Sequence, residues 1–89
     1  MARLRRAPHV IWDVVDTVTV LCDTESGEFF ELNTTGAFIW RMCEDVSLDE
    51  LIERLQVAYP SQRREGLVED VRALLLSLDA AGLVTSGEP

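Results

Sequence analysis

The sequence predicts an α+β domain, a three-stranded antiparallel sheet followed by three helices, in a βββααα order like that of a winged helix whose strands come first. Three observations carry that expectation. β-branched and aromatic residues crowd the chain before Asn33, the hydrophobic period becomes helical directly after it, and clear start and stop signals divide the rest into three helices. At 89 residues and 47% apolar composition, the chain can bury roughly 60–70% of its unfolded surface, enough for one core and no second one. We therefore expect a single domain over 1–89, with 1–8 and 85–89 flexible.

His9 to Val15 and Val18 to Asp23 are rich in strand formers, and Asp16-Thr17 between them reads as the turn of a hairpin. Thr24-Glu25-Ser26-Gly27 supplies a second turn, and Glu28-Phe29-Phe30-Glu31-Leu32 a third strand, completing a meander. Asn33 then caps a largely buried helix carrying Ala37, Phe38, Ile39, Trp40, Met42 and Cys43. Ser47-Leu48-Asp49-Glu50 is a capping box opening a second helix, whose stripe of Leu48, Leu51, Ile52 and Leu55 ends before Pro60. A third helix runs from about Arg64 to Ala81, with Leu67, Val68, Val71, Leu74, Leu75 and Leu78 on one stripe and Gly82 placed to terminate it. Leu83-Val84 is expected to fold back onto the core.

Eight Arg, no Lys and 16 acids give a net charge of −8, and because Arg3, Arg5 and Arg6 precede the first strand, residues 7–89 hold 5 Arg against 16 acids, a net −11. Such a body repels a nucleic-acid backbone. The third helix is the one that would have to enter a groove, and from Glu65 to Gly82 it sets Glu65, Glu69, Asp70 and Asp79 against Arg72 alone. No nucleic-acid partner is expected. No run approaches the ~20 apolar residues of a membrane span. The basic opening Met-Ala-Arg-Leu-Arg-Arg resembles a secretory signal, but its apolar stretch is short and cut by Asp13. With Cys22 and Cys43 far apart and no C-x-x-C, buried thiols in a reducing, cytoplasmic compartment are expected.

Little in the chain favours bond-making chemistry. His9 is the single histidine, so a zinc site or a Ser-His-Asp triad lacks partners at usable spacing. A simple hairpin register brings His9 near Cys22, which formally permits a Cys-His nucleophile, although a cysteine on a strand is more often a small core residue. Glu44-Asp45 and Asp49-Glu50-Glu53 lack the alternating ligands of a calcium loop and read as a solvated face and helix-dipole partners. No catalytic residue, no metal and no cofactor is expected.

Recognition is better supported. In a meander the third strand lies at a sheet edge, whose unpaired N–H and C=O groups proteins usually blunt with Lys, Pro or a bulge. Glu28-Phe29-Phe30-Glu31-Leu32 has none of these devices, and its glutamates oppose self-pairing while leaving the backbone open. The stripe of the third helix is wider than core packing alone requires. An open edge beside a broad apolar helix is the layout of β-augmentation, in which an added peptide strand bonds to the edge and fills side-chain pockets.

The run Leu21-Cys22-Asp23-Thr24-Glu25-Ser26-Gly27-Glu28-Phe29-Phe30-Glu31-Leu32-Asn33, continuing through Gly36-Ala37 to Ile39-Trp40, resembles the LLD-x-x-x-G-x-Y-Y-x-LN-x-x-G-A-x-I-W pattern of PqqD-like proteins. Glu69-Asp70-Val71 with Leu75 and Leu78, then Ala81-Gly82-Leu83-Val84, resembles the family's closing helix and its G-L-(L/V) ending. This is the family of the pyrroloquinoline quinone biosynthesis chaperone and of the recognition elements for ribosomally synthesised, post-translationally modified peptides (RiPPs). The resemblance covers about Val10 to Val84; Cys22 departs from an apolar position and Phe29-Phe30 from frequent Tyr.

Within that family the chain looks most like the free-standing leader-binding protein of lasso peptide clusters. The resemblance implies a non-catalytic adaptor that binds the leader of a precursor peptide, commonly bearing a Tyr-x-x-Pro-x-Leu type motif, as a fourth strand between the third strand and the third helix. It implies presentation to a separate leader peptidase, a cysteine protease of transglutaminase-like fold, with an ATP-dependent cyclase as a further partner. Glu28, Phe29, Phe30, Glu31 and Leu32 are then expected to bind the peptide, with Phe30 and Leu32 facing Leu67, Val68, Val71, Leu74, Leu75 and Leu78, and Asp70 fixing register. The alternatives are a chaperone for another RiPP-modifying enzyme of radical type, or an acidic winged-helix regulator binding a protein partner.

Overall fold

The computed structural model describes residues 3–87. It contains the meander and the three helices expected from the sequence, together with a second sheet that was not expected. The strands are β1 (Arg3–Arg6), β2 (Val10–Val15), β3 (Val18–Asp23), β4 (Phe29–Leu32), β5 (Glu44–Val46) and β6 (Val84–Gly87). The helices are α1 (Thr34–Met42), α2 (Leu48–Ala58) and α3 (Arg64–Ala80). One antiparallel sheet has the order β2-β3-β4 and the other β5-β1-β6. The architecture is α+β, with small strands interleaved among the helices, so that the simple βββααα succession holds only for the larger elements.

In the meander Val15 pairs with Val18, so Asp16-Thr17 is a two-residue loop, and Asp16 takes a left-handed φ of 58°, which Asp tolerates better than most side chains. Asp23 builds the next turn: its Oδ1 accepts from the Glu25 and Ser26 N–H groups at 2.9 and 3.1 Å, and its carbonyl accepts from Gly27 N–H at 2.7 Å. Those backbone donors, Ser26 first, hold the Asp23 carboxyl below the usual carboxylate range.

Each helix starts and stops as its sequence dictates. Asn33 Oδ1 accepts from Gly36 N–H at 2.8 Å, and Ser47 Oγ accepts from Glu50 N–H at 3.2 Å while its hydroxyl donates back to Glu50 Oε1. At the end of α3, Leu83 N–H donates to Leu78 C=O and Gly82 N–H to Asp79 C=O, a Schellman motif with Gly82 at φ 75°. Replacing Gly82 by Ala places a Cβ on that left-handed backbone and should cost about 1 kcal/mol, measurable by urea denaturation. The closure delivers Leu83 and Val84 to the core, as expected, alongside Trp40, Leu21, Leu55, Leu67 and Val71.

Near the chain ends Arg3–Arg6 forms β1, which pairs with β6 on one side and β5 on the other, and β6 runs from Val84 to Gly87. Residues 1, 2, 88 and 89 lie outside the described residues. The arginines hold β1 in place: Arg3 reaches Asp45 and Glu50 at 3.3 and 2.9 Å, Arg5 reaches Asp45 at 3.1 Å, and Arg6 pairs with Glu44. Glu44, Asp45 and Glu50 are therefore partners of the N-terminal strand, a correction to their reading as a purely solvated, dipole-facing set.

The Arg5 and Arg3 guanidiniums lower the Asp45 carboxyl's pKa, and Arg3 lowers that of Glu50. Depressed carboxylate pKa values contribute stability that is present above the unfolded value of about 4 and lost as pH falls through the folded values. Amide exchange at Arg3–Arg6, corrected for intrinsic rate, should therefore accelerate at about pH 3 relative to pH 6, and Asp45→Asn should produce the same loosening at neutral pH.

Candidate peptide-binding groove

The site begins with the edge of β4. Its register is Thr19 with Leu32, Val20 with Glu31, Leu21 with Phe30 and Cys22 with Phe29, and among the described residues no strand lies on its other side. Because side chains alternate along a strand, Phe30 and Leu32 turn toward the helices, half-buried and buried, while Phe29 and Glu31 point outward, Phe29 at 71% exposure. Glu28, expected to open this strand, instead accepts the Asp23 N–H on its carbonyl at 2.9 Å within the turn.

Facing this edge is one flank of α3. Leu74, Ser77, Leu78 and Ala81, with Leu83 beyond the helix end, join Phe29 to Leu32 around a groove of about 460 Å³. The spacing is i, i+3, i+4, i+7, one continuous helical stripe. At Leu74 the groove meets a second depression of about 330 Å³, lined by Asp70 and Ala73 of α3, Gln62, and the Asn33 to Gly36 start of α1. Gly36 sits close there: a Cβ would lie 3.2 Å from Asn33 Oδ1 and 3.5 Å from the Leu32 side chain. The route is apolar beside Phe30 and Leu78 and becomes polar toward Asp70 and Gln62.

The expected binding residues thus separate into groups. Phe29, Phe30, Glu31, Leu32, Leu74 and Leu78 come together along one groove, and Asp70 lies in the adjoining depression. Leu67 and Val71 are fully buried core, and Val68 is half-buried and lines neither hollow. Leu75 is on the opposite flank of α3, in a separate depression of about 410 Å³ with Leu4, Leu48, Leu76 and Val84. Leu75 lines that hollow and not the β4 groove. Ala81 belongs to the wide apolar stripe of the helix, whereas Ser77 and Leu83 were not expected at the groove; extending the stripe from Leu74 by three residues would have found Ser77.

His9 lies against Asp23, with Nε2 3.6 Å from Oδ1, and its strand register places Ile11, rather than His9, opposite Cys22. His9, Asp23 and Glu25 donor atoms fall within 4.8 Å of one another, but Asp23 Oδ1 is already committed to two backbone N–H groups. Burial pushes the Cys43 thiol up to about 11, leaving it protonated and inert at neutral pH. No described helix is long and apolar enough to cross a membrane.

A family model described as coenzyme PQQ synthesis protein D (PqqD) matches residues 18–84. No curated protein matches the chain. Among solved structures, "Lasso peptide synthetase B1 complexed with the leader peptide" is similar with a TM-score of 0.80 at 27% identity, over 93% of this chain and 98% of that one. "TbiB1 in Complex with the TbiA(beta) Leader Peptide" has a TM-score of 0.82 at 23% identity, over 96% of this chain and 99% of that one, a likeness of fold.

Proposed function

Starting from a chain that belongs to the PqqD family, we propose that it is a non-catalytic adaptor for the leader segment of a ribosomally made precursor, most plainly a lasso peptide precursor. The observation that carries this reading is the groove itself: an unpaired strand edge, Phe29–Leu32, set beside the Leu74-Ser77-Leu78-Ala81 flank of α3. The 27% identical lasso peptide synthetase B1, complexed with a leader peptide, supports the choice of ligand.

Binding follows from the geometry. An extended leader adds to β4, its backbone taking the edge's free N–H and C=O groups, and every second side chain enters the groove. Strand pairing alone accepts many sequences; the pocket bounded by Phe30, Leu32, Leu74 and Leu78 selects apolar anchors, each removing apolar area from water at ~25 cal/mol per Å². Asp70, at the polar end, sets the register of the leader by accepting from a donor group.

The adaptor makes no bond. It holds the precursor beside a separate leader peptidase, a cysteine protease of transglutaminase-like fold, and so raises the local concentration of the scissile segment; an ATP-dependent cyclase acts on the released core. The family's coenzyme PQQ description favours one second reading, leader delivery to a modifying enzyme of radical type.

Titration with a fluorescently labelled synthetic leader of a lasso peptide precursor tests the proposal. Saturable binding with no affinity for duplex DNA at low salt is expected. Failure of a folded protein to bind the leader, or duplex binding that falls steeply with salt, would overturn it.

A further inference from the structure

The outer face of the meander carries a second pattern, which meets the groove at Phe29 and Glu31 on its rim. Across the three strands Ile11, Cys22 and Phe29 form one row and Asp13, Val20 and Glu31 the next, because Ile11 pairs with Cys22 and Cys22 with Phe29, while Asp13 pairs with Val20 and Val20 with Glu31. A strand added to β4 extends both rows by one residue each. Whichever way it runs, its side chains alternate in step with the sheet, so the residue beside Glu31 points outward between two that point into the groove.

That outward position meets an unusually one-sided field. From Val10 to Trp40 the chain has six acids and no Lys or Arg. Glu31 is exposed, and none of the ion pairs among the described residues includes it. Of the arginines that flank this stretch, Arg3 pairs with Asp45 of β5 and Glu50 of α2, Arg5 with Asp45, and Arg6 with Glu44 of β5 while lying over the Trp12 ring, and Arg41 is in none of the ion pairs among the described residues. A carboxylate facing the incoming strand is therefore left for the ligand to neutralise.

Building on the proposed leader groove, we propose that Glu31 is a specificity residue: the bound strand carries Lys or Arg at the position directly beside it, flanked by groove-facing apolar anchors beside Phe30 and Leu32. Directly opposed charges on neighbouring strands attract, and like charges repel, by amounts that correspond to about two- to fivefold in affinity. The preference weakens as salt screens an exposed pair. The same position should select against acidic peptides, which would place a like charge directly beside Glu31.

Selection of a displayed library of random peptides about a dozen residues long, against the wild-type protein and Glu31→Lys, tests this directly. The wild type should enrich Lys or Arg at one position between two apolar anchors, and Glu31→Lys should keep the anchors while enriching Asp or Glu at that position. Peptides remade with Lys or Gln there should differ about two- to fivefold for the wild type and lose that difference in Glu31→Gln. The same anchors with no charge preference, or a preference unchanged by Glu31→Lys, would overturn the role of Glu31 and leave the groove standing. No enrichment by either folded protein would instead overturn the groove as a peptide site, and this inference with it.

Discussion

Leu74→Asp should weaken leader binding by about 30-fold or more while leaving the domain folded, and Leu75→Asp should change it little. Leu74 is half-buried at the point where the apolar groove along β4 meets the polar hollow at Asp70, so a carboxylate there stands in the path of the strand. Loss of a central apolar anchor in a desolvated pocket typically costs about 2 kcal/mol or more, which corresponds to that factor. Leu75 faces the hollow on the other flank of α3 with Leu4 and Val84, away from β4. Fluorescence anisotropy with the labelled leader, together with circular dichroism to verify folding, measures both. Equal losses in the two variants would mean that α3 presents a different face to the peptide.

Trp40→Ala should bring the domain close to global unfolding. Trp40 has no exposed surface, is the largest fully buried side chain, and sits in α1 among Leu21, Leu55 and Val71. Truncating a buried Trp costs about 3–5 kcal/mol, against a total stability of about 5–15 kcal/mol for a natural domain. Its indole Nε1 has no hydrogen-bond partner among the described residues, so the loss comes from packing rather than from a broken polar contact. Denaturant titration followed by circular dichroism should show the midpoint falling steeply. A shift worth less than about 1 kcal/mol would contradict the placement of this side chain at the centre of the core.

Local patterning carried much of this fold. The Asp16-Thr17 hairpin, the Asn33 and Ser47 caps, the stop before Pro60 and the Gly82 terminus are all set by neighbours within a few residues, and all appear as the sequence implied. The second sheet was not legible for the opposite reason. Arg3 and Asp45 are 42 residues apart and Arg3 and Glu50 are 47 apart, so neither β1 nor its carboxylate partners show any local sign of the other. A four-residue strand such as Arg-Leu-Arg-Arg has no apolar run to announce it; only Leu4, packed into the core, marks its inner face.

The groove was half legible. Alternation along Phe29-Phe30-Glu31-Leu32 correctly separated the inward pair from the outward pair, since period 2 admits one solution once Leu32 is buried. On α3 the apolar stripe was too broad to resolve into flanks: Leu67, Val71 and Leu78 reach the core, Leu74 the β4 side and Leu75 the far side. Ser77 lines the groove as a polar residue on the same flank, which hydrophobic patterning does not register.

On the proposed reading the leader becomes a strand on the free edge of β4. Amide hydrogen exchange of the protein with and without saturating leader tests it most directly, because the outward-facing backbone N–H groups of Phe29–Leu32 exchange freely until a strand covers them. Strong new protection confined to β4 and the facing flank of α3, with the β2 edge unchanged, is the predicted result. Saturable binding that leaves the β4 amides unprotected, or that protects β2 instead, would contradict it.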